Sequence, residues 1–330
     1  VASVKSKDIN SFPTTNMIQA LSGRTTGVQV LQTTGAPGAG ISVRIRGTNS
    51  IQGGNEPLYV IDGFPYSGNP TNINNSDIES IEILKDASAT AIYGSRGANG
   101  VVIITTKQGS AGKTVVDFES SYSVQKLRKK LDLMNGMEYA TMANVQAAND
   151  NLAPYFTQAE IDAFGEGTDW QDVVFQEAPI WSSSLNVSGG NEKTKFSIGG
   201  SYFGQDGIVR GSDYDRYTLR TNISHDVSDK FSITLANTST YLKTERRDSN
   251  GGSRGGSMIN AAVGAAPISN PYNPDGTYNV LAQEFPFVPV DIINPLNFIY
   301  EQTDVIKANV LLTNLAFQYK PIEELTIKIS

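Results

Sequence analysis

Most of residues 114–330 consists of segments of about ten residues in which apolar and polar side chains alternate. In the clearest segment, Tyr217, Leu219, Ile223 and Val227 lie on one face of the chain. A period of two predicts β-strands, each with one apolar and one polar face. Such strands occur both in transmembrane barrels and in soluble β-sandwiches, so the alternation alone favours neither class.

The connections between these segments favour the barrel. Short turns near 189–193, 227–230 and 321–324 alternate with long connections at about 126–179, 203–216 and 243–307. Outer-membrane barrels have short periplasmic turns and longer extracellular loops. We expect about seven strands, near residues 115–125, 181–189, 194–203, 216–226, 230–242, 308–319 and 325–330.

The first 113 residues have a different pattern, which predicts a small α+β domain. Thr14 or Thr15 is expected to cap a helix that ends at Gly23. Short strands are then expected at residues 27–33, 41–45 and 58–61, and Asp62 and Gly63 close the last of them.

The stretch from Ile78 to Gly109 completes this domain with a strand, a helix, a glycine turn and a second strand. Asp86 is expected to cap the helix, which runs through Tyr93 and ends at Gly94. Gly97 and Gly100 allow a tight turn before the apolar run Val101–Ile104, which predicts a strand buried on both faces. These glycines follow a helix and precede a strand, the reverse of a dinucleotide-binding fingerprint.

Composition excludes several kinds of chemistry. The chain has no cysteine and one histidine, which argues against disulfides, thiolate catalysis and zinc sites. Residues 114–330 carry 17 Lys and Arg against 26 Asp and Glu, an acidic balance that argues against nucleic acid as a partner. No segment reaches the ~18 apolar residues of a membrane helix.

Candidate catalytic and ligand-binding residues are few. His225, as the only histidine, would have to be the base of a serine triad, but it lies on the apolar register of a strand just before a turn. The acidic loop expected around Asp206, Asp213 and Asp215 favours turn hydrogen bonds, with calcium binding left open. Aromatic side chains could stack on sugars or lie at the membrane interface: Trp170, Trp181, Tyr155 and Phe156. We predict no catalytic residue, no metal site and no cofactor.

Five motifs in the first 113 residues resemble the SusC/RagA family of TonB-dependent outer-membrane transporters in their order and spacing. They are ALSGRTTGVQV, TGAPGAG, SVRIRGTNS, PLYVIDGFP and DIESIEILKDASATAIYGSRGANGVVIITTKQG. Looser matches follow, among them LNVSGGNEKTKFSIGGSYFGQDGIV and NPLNFIYEQ. The resemblance implies a partial membrane β-barrel with an α+β plug domain inside its lumen. Residues 1–113 would be the plug, and residues 114–330 the first part of a barrel of roughly twenty-two strands, truncated at its C-terminal end.

The resemblance also implies a function and partners. The chain would import oligosaccharides or peptides across the bacterial outer membrane, without catalysis. It would act with a SusD-like surface lipoprotein and with TonB, which pulls on an upstream segment absent from this sequence. The alternatives are a siderophore or cobalamin receptor, and a soluble surface β-protein that binds glycans.

The candidate site residues belong to the plug motifs. Charged residues in these motifs could pair with the barrel wall, because a plug surface faces a polar lumen. We favour this role for Arg44 and Arg46, and helix capping for Asp86. The full set of signature and candidate contact residues is Arg44, Arg46, Gly47, Asp62, Gly63, Asp86, Tyr93, Gly94, Arg96, Gly97 and Gly100. Substrate-binding residues are not identified.

Overall fold

The computed structural model describes residues 2–9, 17–32, 34–47, 54–66, 68, 70, 73–86, 91–247 and 257–330. Its described strands form three sheets of five, seven and two strands. The five- and two-stranded sheets, within residues 2–106, are called the N-terminal domain below. The seven-stranded sheet is called the wall.

The five-stranded sheet has the order β1-β6-β7-β4-β5. Its strands are β1 (Ala2–Lys5), β4 (Leu58–Ile61), β5 (Phe64–Tyr66), β6 (Ile78–Leu84) and β7 (Val101–Thr106). The central strand β7 pairs parallel to β4 and antiparallel to β6. Its side chains are mostly buried, as the apolar run at 101–104 predicted.

A second, two-stranded sheet of β2 (Val28–Leu31) and β3 (Ser42–Ile45) packs against this sheet. The two sheets share a core that includes Val43, Ile45, Ile81, Ile83 and Ile104. Polar contacts fix the arrangement as well. The Glu56 carboxylate accepts from the Ser42 hydroxyl at 2.5 Å and from the Val43 amide at 3.2 Å. The Lys85 ammonium donates to the carbonyl of Thr26.

Both helices expected in this domain are reduced to 3₁₀ turns in its described part. The first spans Gln19–Leu21, and the Thr14 and Thr15 caps lie outside the described residues. The second spans Ala91–Gly97 and is broken at Gly94, whose φ is 60°. Residues 87–90 also lie outside the described part, so the capping role of Asp86 stays a prediction. A four-residue helix, α1 (Ser6–Ile9), follows β1.

The wall is an antiparallel meander in which each strand pairs with the next along the chain. Its strands are β8 (Gly112–Gln125), β9 (Ala178–Gly190), β10 (Thr194–Asp206), β11 (Asp213–Ser228), β12 (Phe231–Glu245), β13 (Val305–Ile322) and β14 (Leu325–Ile329). These strands lie where alternation predicted them. None of the described helices is long and apolar enough to span a membrane.

One expected long connection is wrong. β10 and β11 remain paired as far as Asp206 and Asp213, which leaves only residues 207–212 to join them. Asp206, Asp213 and Asp215 are therefore strand residues rather than members of an acidic loop. The described residues contain no group of three His, Cys, Asp or Glu side chains arranged to hold a metal ion.

The outward face of the wall is an apolar band between two aromatic rows. At one end, the rings of Tyr122 and Trp181 pack edge-on, with their centroids 5.7 Å apart. In the same row, the centroid of the Tyr217 ring lies 5.0 Å from that of Tyr202 and 6.2 Å from that of Tyr241. Phe231 and Phe317 stack near the other end. Ten residues separate Tyr241 from Phe231, which at ~3.3 Å per residue and a tilt of ~40° corresponds to ~25 Å along the membrane normal. This matches the hydrocarbon band of an outer-membrane barrel.

The two long connections at the end with five aromatic residues fold together into a helical cap. It contains α2 (Gly136–Asn149), α3 (Gln158–Phe164), α4 (Trp170–Val174), α5 (Met258–Gly264) and α6 (Pro295–Tyr300). Asn135 and Thr157 each begin a helix with a capping box. Trp170, a candidate sugar-stacking residue, is instead buried in the core of the cap, where its indole donates to the Ala266 carbonyl at 2.9 Å.

Candidate functional site: the contact between the N-terminal domain and the wall

The N-terminal domain contacts the inward face of the wall, mainly along β11. Tyr214, Arg216, Thr218, Arg220 and Asn222 alternate along this strand, and all five are buried. The residues between them face outward, as the period of two predicted. Arg216, Arg220 and Asn222 can be buried at this face because they find hydrogen-bond partners in the chain that precedes the wall. Thr218 instead pairs with Thr240 within the wall at 3.5 Å.

Arg220 lies at the centre of the contact and is only 1% exposed. Its Nε lies 3.3 Å from Oδ1 of Asp77, and its guanidinium also donates to the carbonyl of Lys107. Within the wall, the same guanidinium reaches Asn186 Oδ1 at 3.5 Å and Ser197 Oγ at 3.4 Å. One side chain therefore joins Asp77 of the N-terminal domain, and Lys107 just after that domain, to three neighbouring wall strands.

Asp77 is held in place by the local fold. It ends a 3₁₀ turn, Asn75–Asp77, that Asn74 caps, and its carbonyl accepts from the Lys107 amide at 2.8 Å. Burial raises the pKa of the Asp77 carboxyl, and the positive charges of Arg220, Arg216 and Lys107 oppose this rise. Its carboxyl depends on these cations because few water molecules can solvate it.

Asn222 forms the next contact along β11. Its amide nitrogen donates to Thr106 Oγ1 at 3.1 Å and to the Lys107 carbonyl at 3.3 Å. Thr106 is itself held by Asp62, which accepts from the Thr106 amide at 2.8 Å and from its hydroxyl at 2.7 Å. Asp62, a motif residue, therefore supports the contact through Thr106 without reaching the wall itself.

Arg216 contacts the segment that precedes Asp77. Its guanidinium donates to the Ile73 carbonyl at 3.5 Å and lies 5.2 Å from the centre of the Phe203 ring. A cation over an aromatic face is attracted by the ring quadrupole, and this attraction is larger when water is excluded.

Gly38 contacts the wall near the ends of β10 and β11 that lie toward the helical cap. Its amide donates to Gln205 Oε1 at 3.5 Å, and its φ is 64°. A Cβ at this position would overlap the ring of Tyr214. The turn around Gly38 can therefore approach the wall this closely only with glycine.

The motif residues predicted from sequence lie mainly within the N-terminal domain. Arg46 forms an ion pair with Asp86, and both side chains are more than half exposed. Arg44 lies on β3 opposite Gln29. Arg44 and Arg46 do not share one regular strand face, because β3 ends at Ile45 and Arg46 has a φ of 60°. A contact of either arginine with the barrel stays a prediction.

The other motif residues shape turns and the core. Asp62 and Gly63, with φ of 49° and 89°, form the turn between β4 and β5. Gly100 has a φ of 92°, and a Cβ there would lie 2.8 Å from Ile45 Cδ1. Gly47 has a φ of 93°, Gly94 lies in the broken 3₁₀ turn, and Gly97 is buried. Tyr93 packs beside Leu84 and Val101. Arg96 lines a groove together with Tyr59 and Tyr66.

Neither Arg220 nor Asp77 is among the contact residues predicted from the motifs. A usable signal existed for Arg220, since it is a charged residue in the middle of a strand on the polar register, between Thr218 and Asn222. Such a position predicts a buried partner. Asp77 lies beside Asn74, Asn75 and Ser76, and this sequence is equally typical of an exposed turn.

Comparisons with known proteins agree with this geometry. Residues 1–101 match the family model of the TonB-dependent receptor plug domain. TonB-dependent receptor P3 of Formosa agariphila is 38% identical over 99% of this chain, and TonB-dependent receptor SusC of Bacteroides thetaiotaomicron is 37% identical over 68%. The chain spans 31% and 22% of these two relatives. A solved structure of the RagAB peptide transporter covers 99% of this chain with a TM-score of 0.85 and 26% identity, and the match spans 40% of that transporter chain.

Proposed function

This chain belongs to the SusC/RagA family of TonB-dependent receptors, and we propose that it supplies the plug and the first part of the barrel of a nutrient importer. It is an outer-membrane protein, with the wall crossing the bilayer. In this proposal residues 1–113 are the plug, residues 114–330 begin the barrel, and further strands complete the barrel in the whole protein. The cargo is an oligosaccharide or a peptide.

The observation that carries the proposal is the buried contact around Arg220. A plug closes a barrel only if it is held against the wall. Because the polypeptide chain is the only covalent link between the two, non-covalent contacts must hold it there. Ion pairs and hydrogen bonds suit this role, because they can be exchanged for contacts with water when the plug moves. The described contact contains one buried ion pair and several single hydrogen bonds, and it has no large apolar interface of the kind seen in the core of the N-terminal domain.

The partners follow from the same proposal. The name RagAB denotes a complex. By analogy, a SusD-like lipoprotein would cover the extracellular mouth of this importer. TonB would supply energy through a segment upstream of residue 1. No enzymatic step is assigned to the chain, since the relatives it matches are receptors. A siderophore or cobalamin receptor and a soluble glycan-binding protein are the alternatives that the family membership does not favour.

Growth of the parent bacterium on single nutrients tests the function. Deletion of the gene should abolish growth on one class of glycan or peptide, and the complete protein should restore growth only in cells with TonB. Monomeric units of the same nutrient should support growth of the deletion strain equally well. A growth defect confined to iron or cobalamin limitation would support the alternative receptor class instead.

A further inference from the structure

We propose that the loop between β10 and β11 couples the docking of the N-terminal domain to the position of the helical cap. Residues 207–212 form this loop, which is called the coupling loop below. It lies at the end of the wall that carries the long connections, which is the extracellular end. When the N-terminal domain leaves the wall, the coupling loop loses its support and the cap loosens.

The first long connection is hydrogen-bonded to the coupling loop through the backbone. The Arg210 amide donates to the carbonyl of Val174, the buried last residue of α4, at 3.0 Å. The Gln176 amide donates to the Ile208 carbonyl at 2.9 Å. Between these two bonds, Val209 packs against the apolar core of the cap. A displacement of the loop therefore disturbs backbone hydrogen bonds and apolar contacts of the cap at the same time.

The second long connection reaches the coupling loop through Arg247. This residue lies just beyond β12, and only 7% of its side chain is exposed. Its Nε donates to the Ile299 carbonyl in α6 at 3.0 Å, and its Nη2 lies 2.8 Å from Oε1 of Glu245. On the loop, Gly211 has a φ of 77°, and a Cβ there would lie 2.7 Å from the Arg247 Nε. The guanidinium is therefore held between α6 and the coupling loop.

The N-terminal domain supports the coupling loop from the inward face of the wall. Pro37 is buried, and a Cβ on Gly207 would lie 3.1 Å from the Pro37 Cγ. The next residue, Gly38, contacts Gln205 and Tyr214, which are paired across β10 and β11 near the base of the loop. The turn that precedes β3 thus contacts both the loop and the two strands that carry it.

The coupling loop is short and internally hydrogen-bonded, so it moves as one piece. The Gly207 amide donates to the Ser212 carbonyl at 2.8 Å, and the Ser212 hydroxyl donates to the Val209 carbonyl at 2.6 Å. β10 and β11 each pair with a strand on both sides, so the loop belongs to the interior of the wall and not to its edge. A rigid element that contacts two parts of a protein transmits a displacement of either part to the other, and such coupling is reciprocal.

The role of this coupling in import rests on the proposed function, whereas the coupling itself is a property of the folded chain. In the importer, the cap is held firmly while the lumen is closed, and it loosens only when the plug has moved. The test therefore measures the folded protein at equilibrium, without nutrient and without TonB, so that its result does not depend on import.

Hydrogen exchange in the complete protein in nanodiscs tests the coupling. Arg220→Leu undocks the N-terminal domain at a site outside the coupling loop, and Gly38→Ala disturbs the turn beside the loop. Each variant should raise exchange at the Gln176 and Arg210 amides by about fivefold or more. Gly23→Ala is the matched control, because its new Cβ has no atom within 4 Å, and exchange in the cap should stay at the wild-type value.

The reverse direction uses Arg247→Gln, which releases α6 from the coupling loop. Exchange at the Gly38 amide should rise by a similar factor, whereas Arg246→Gln, at the exposed neighbouring arginine, should leave it unchanged. Gly38→Ala and Arg247→Gln decide the result if Arg220→Leu does not assemble. Wild-type exchange in the cap of the assembled docking variants, or equal effects of a variant and its control, would overturn the proposal.

Discussion

Two arginine–aspartate pairs occupy opposite environments in this molecule. Arg220 and Asp77 join the wall to the N-terminal domain and are 1% and 6% exposed. Arg46 and Asp86 join two segments on the surface of the N-terminal domain, and their side chains are 58% and 53% exposed. Water screens the second pair, whereas the first has lost its hydration and depends on its partner. Arg46 and Asp86, the pair predicted as candidate contact residues, are therefore the less consequential pair for stability.

This difference predicts the largest effect for Arg220→Leu in the complete protein. Removal of the guanidinium leaves the Asp77 carboxyl buried without its main partner, at a cost of about 3–5 kcal/mol to docking of the N-terminal domain. Hydrogen exchange should increase across residues 73–77, and leakage of a large antibiotic through the outer membrane should rise.

Two controls show whether the unpaired buried charge causes that effect. Adding Asp77→Asn to Arg220→Leu should recover part of the protection, because the unpaired charge is removed. Arg246→Leu removes an exposed arginine from the extracellular end of the wall and should leave exchange at 73–77 unchanged. Wild-type exchange in Arg220→Leu would mean that the pair does not hold the N-terminal domain in place.

The next largest effect concerns the two faces of the wall at one depth. Leu315 faces outward, and its neighbour Asn314 faces inward, midway between the aromatic rows. Leu315→Arg should cost about 2–4 kcal/mol in the bilayer, because the charge would lie in hydrocarbon. Asn314→Arg should cost much less. Folding of the complete barrel into lipid vesicles measures both, and equal costs would contradict the assignment of the faces.

For Gly38→Ala, the part of the effect that comes from the contact with the wall should be intermediate. A methyl group there adds backbone strain of about 1–2 kcal/mol from the left-handed φ and about 1–3 kcal/mol from overlap with the Tyr214 ring. Gly23→Ala is the matched control, because Gly23 also has a positive φ, 74°, but has no atom within 4 Å of the new Cβ. The difference in melting temperature between the variants measures the contact with the wall, and no difference would argue against it.

The smallest effect is expected for Arg46→Ala. An exposed ion pair contributes about 0–1 kcal/mol, so thermal unfolding and antibiotic leakage should stay close to wild type. The double variant Arg44→Ala with Arg46→Ala tests the predicted contact of these arginines with the barrel. Increased leakage in the double variant, at normal protein levels, would support that contact. Uptake and leakage equal to those of the wild type would mean that Arg46 contacts only Asp86.

The strands could be predicted from sequence because period-two alternation is a local property. Each residue of β11 faces either lipid or lumen, so Leu219 and Arg220 indicate their faces without knowledge of the partner. The turn at Asp62 and Gly63 was likewise predictable, since its residue types suit positive φ. The long connection expected at 203–216 was wrong because Asp and Gly residues indicate a turn even where strand pairing continues through them.

Sequence alone determined the family, the faces of the strands and the turn glycines, because each depends on neighbours in the chain. The tertiary structure decided which charges are buried together. Arg220 and Asp77 are 143 residues apart in sequence, and no local pattern specifies their contact. The same holds for Trp170, whose burial depends on a cap assembled from two loops about a hundred residues apart. Long-range packing sets the local dielectric, and the dielectric determines whether a polar side chain contributes little or much to stability.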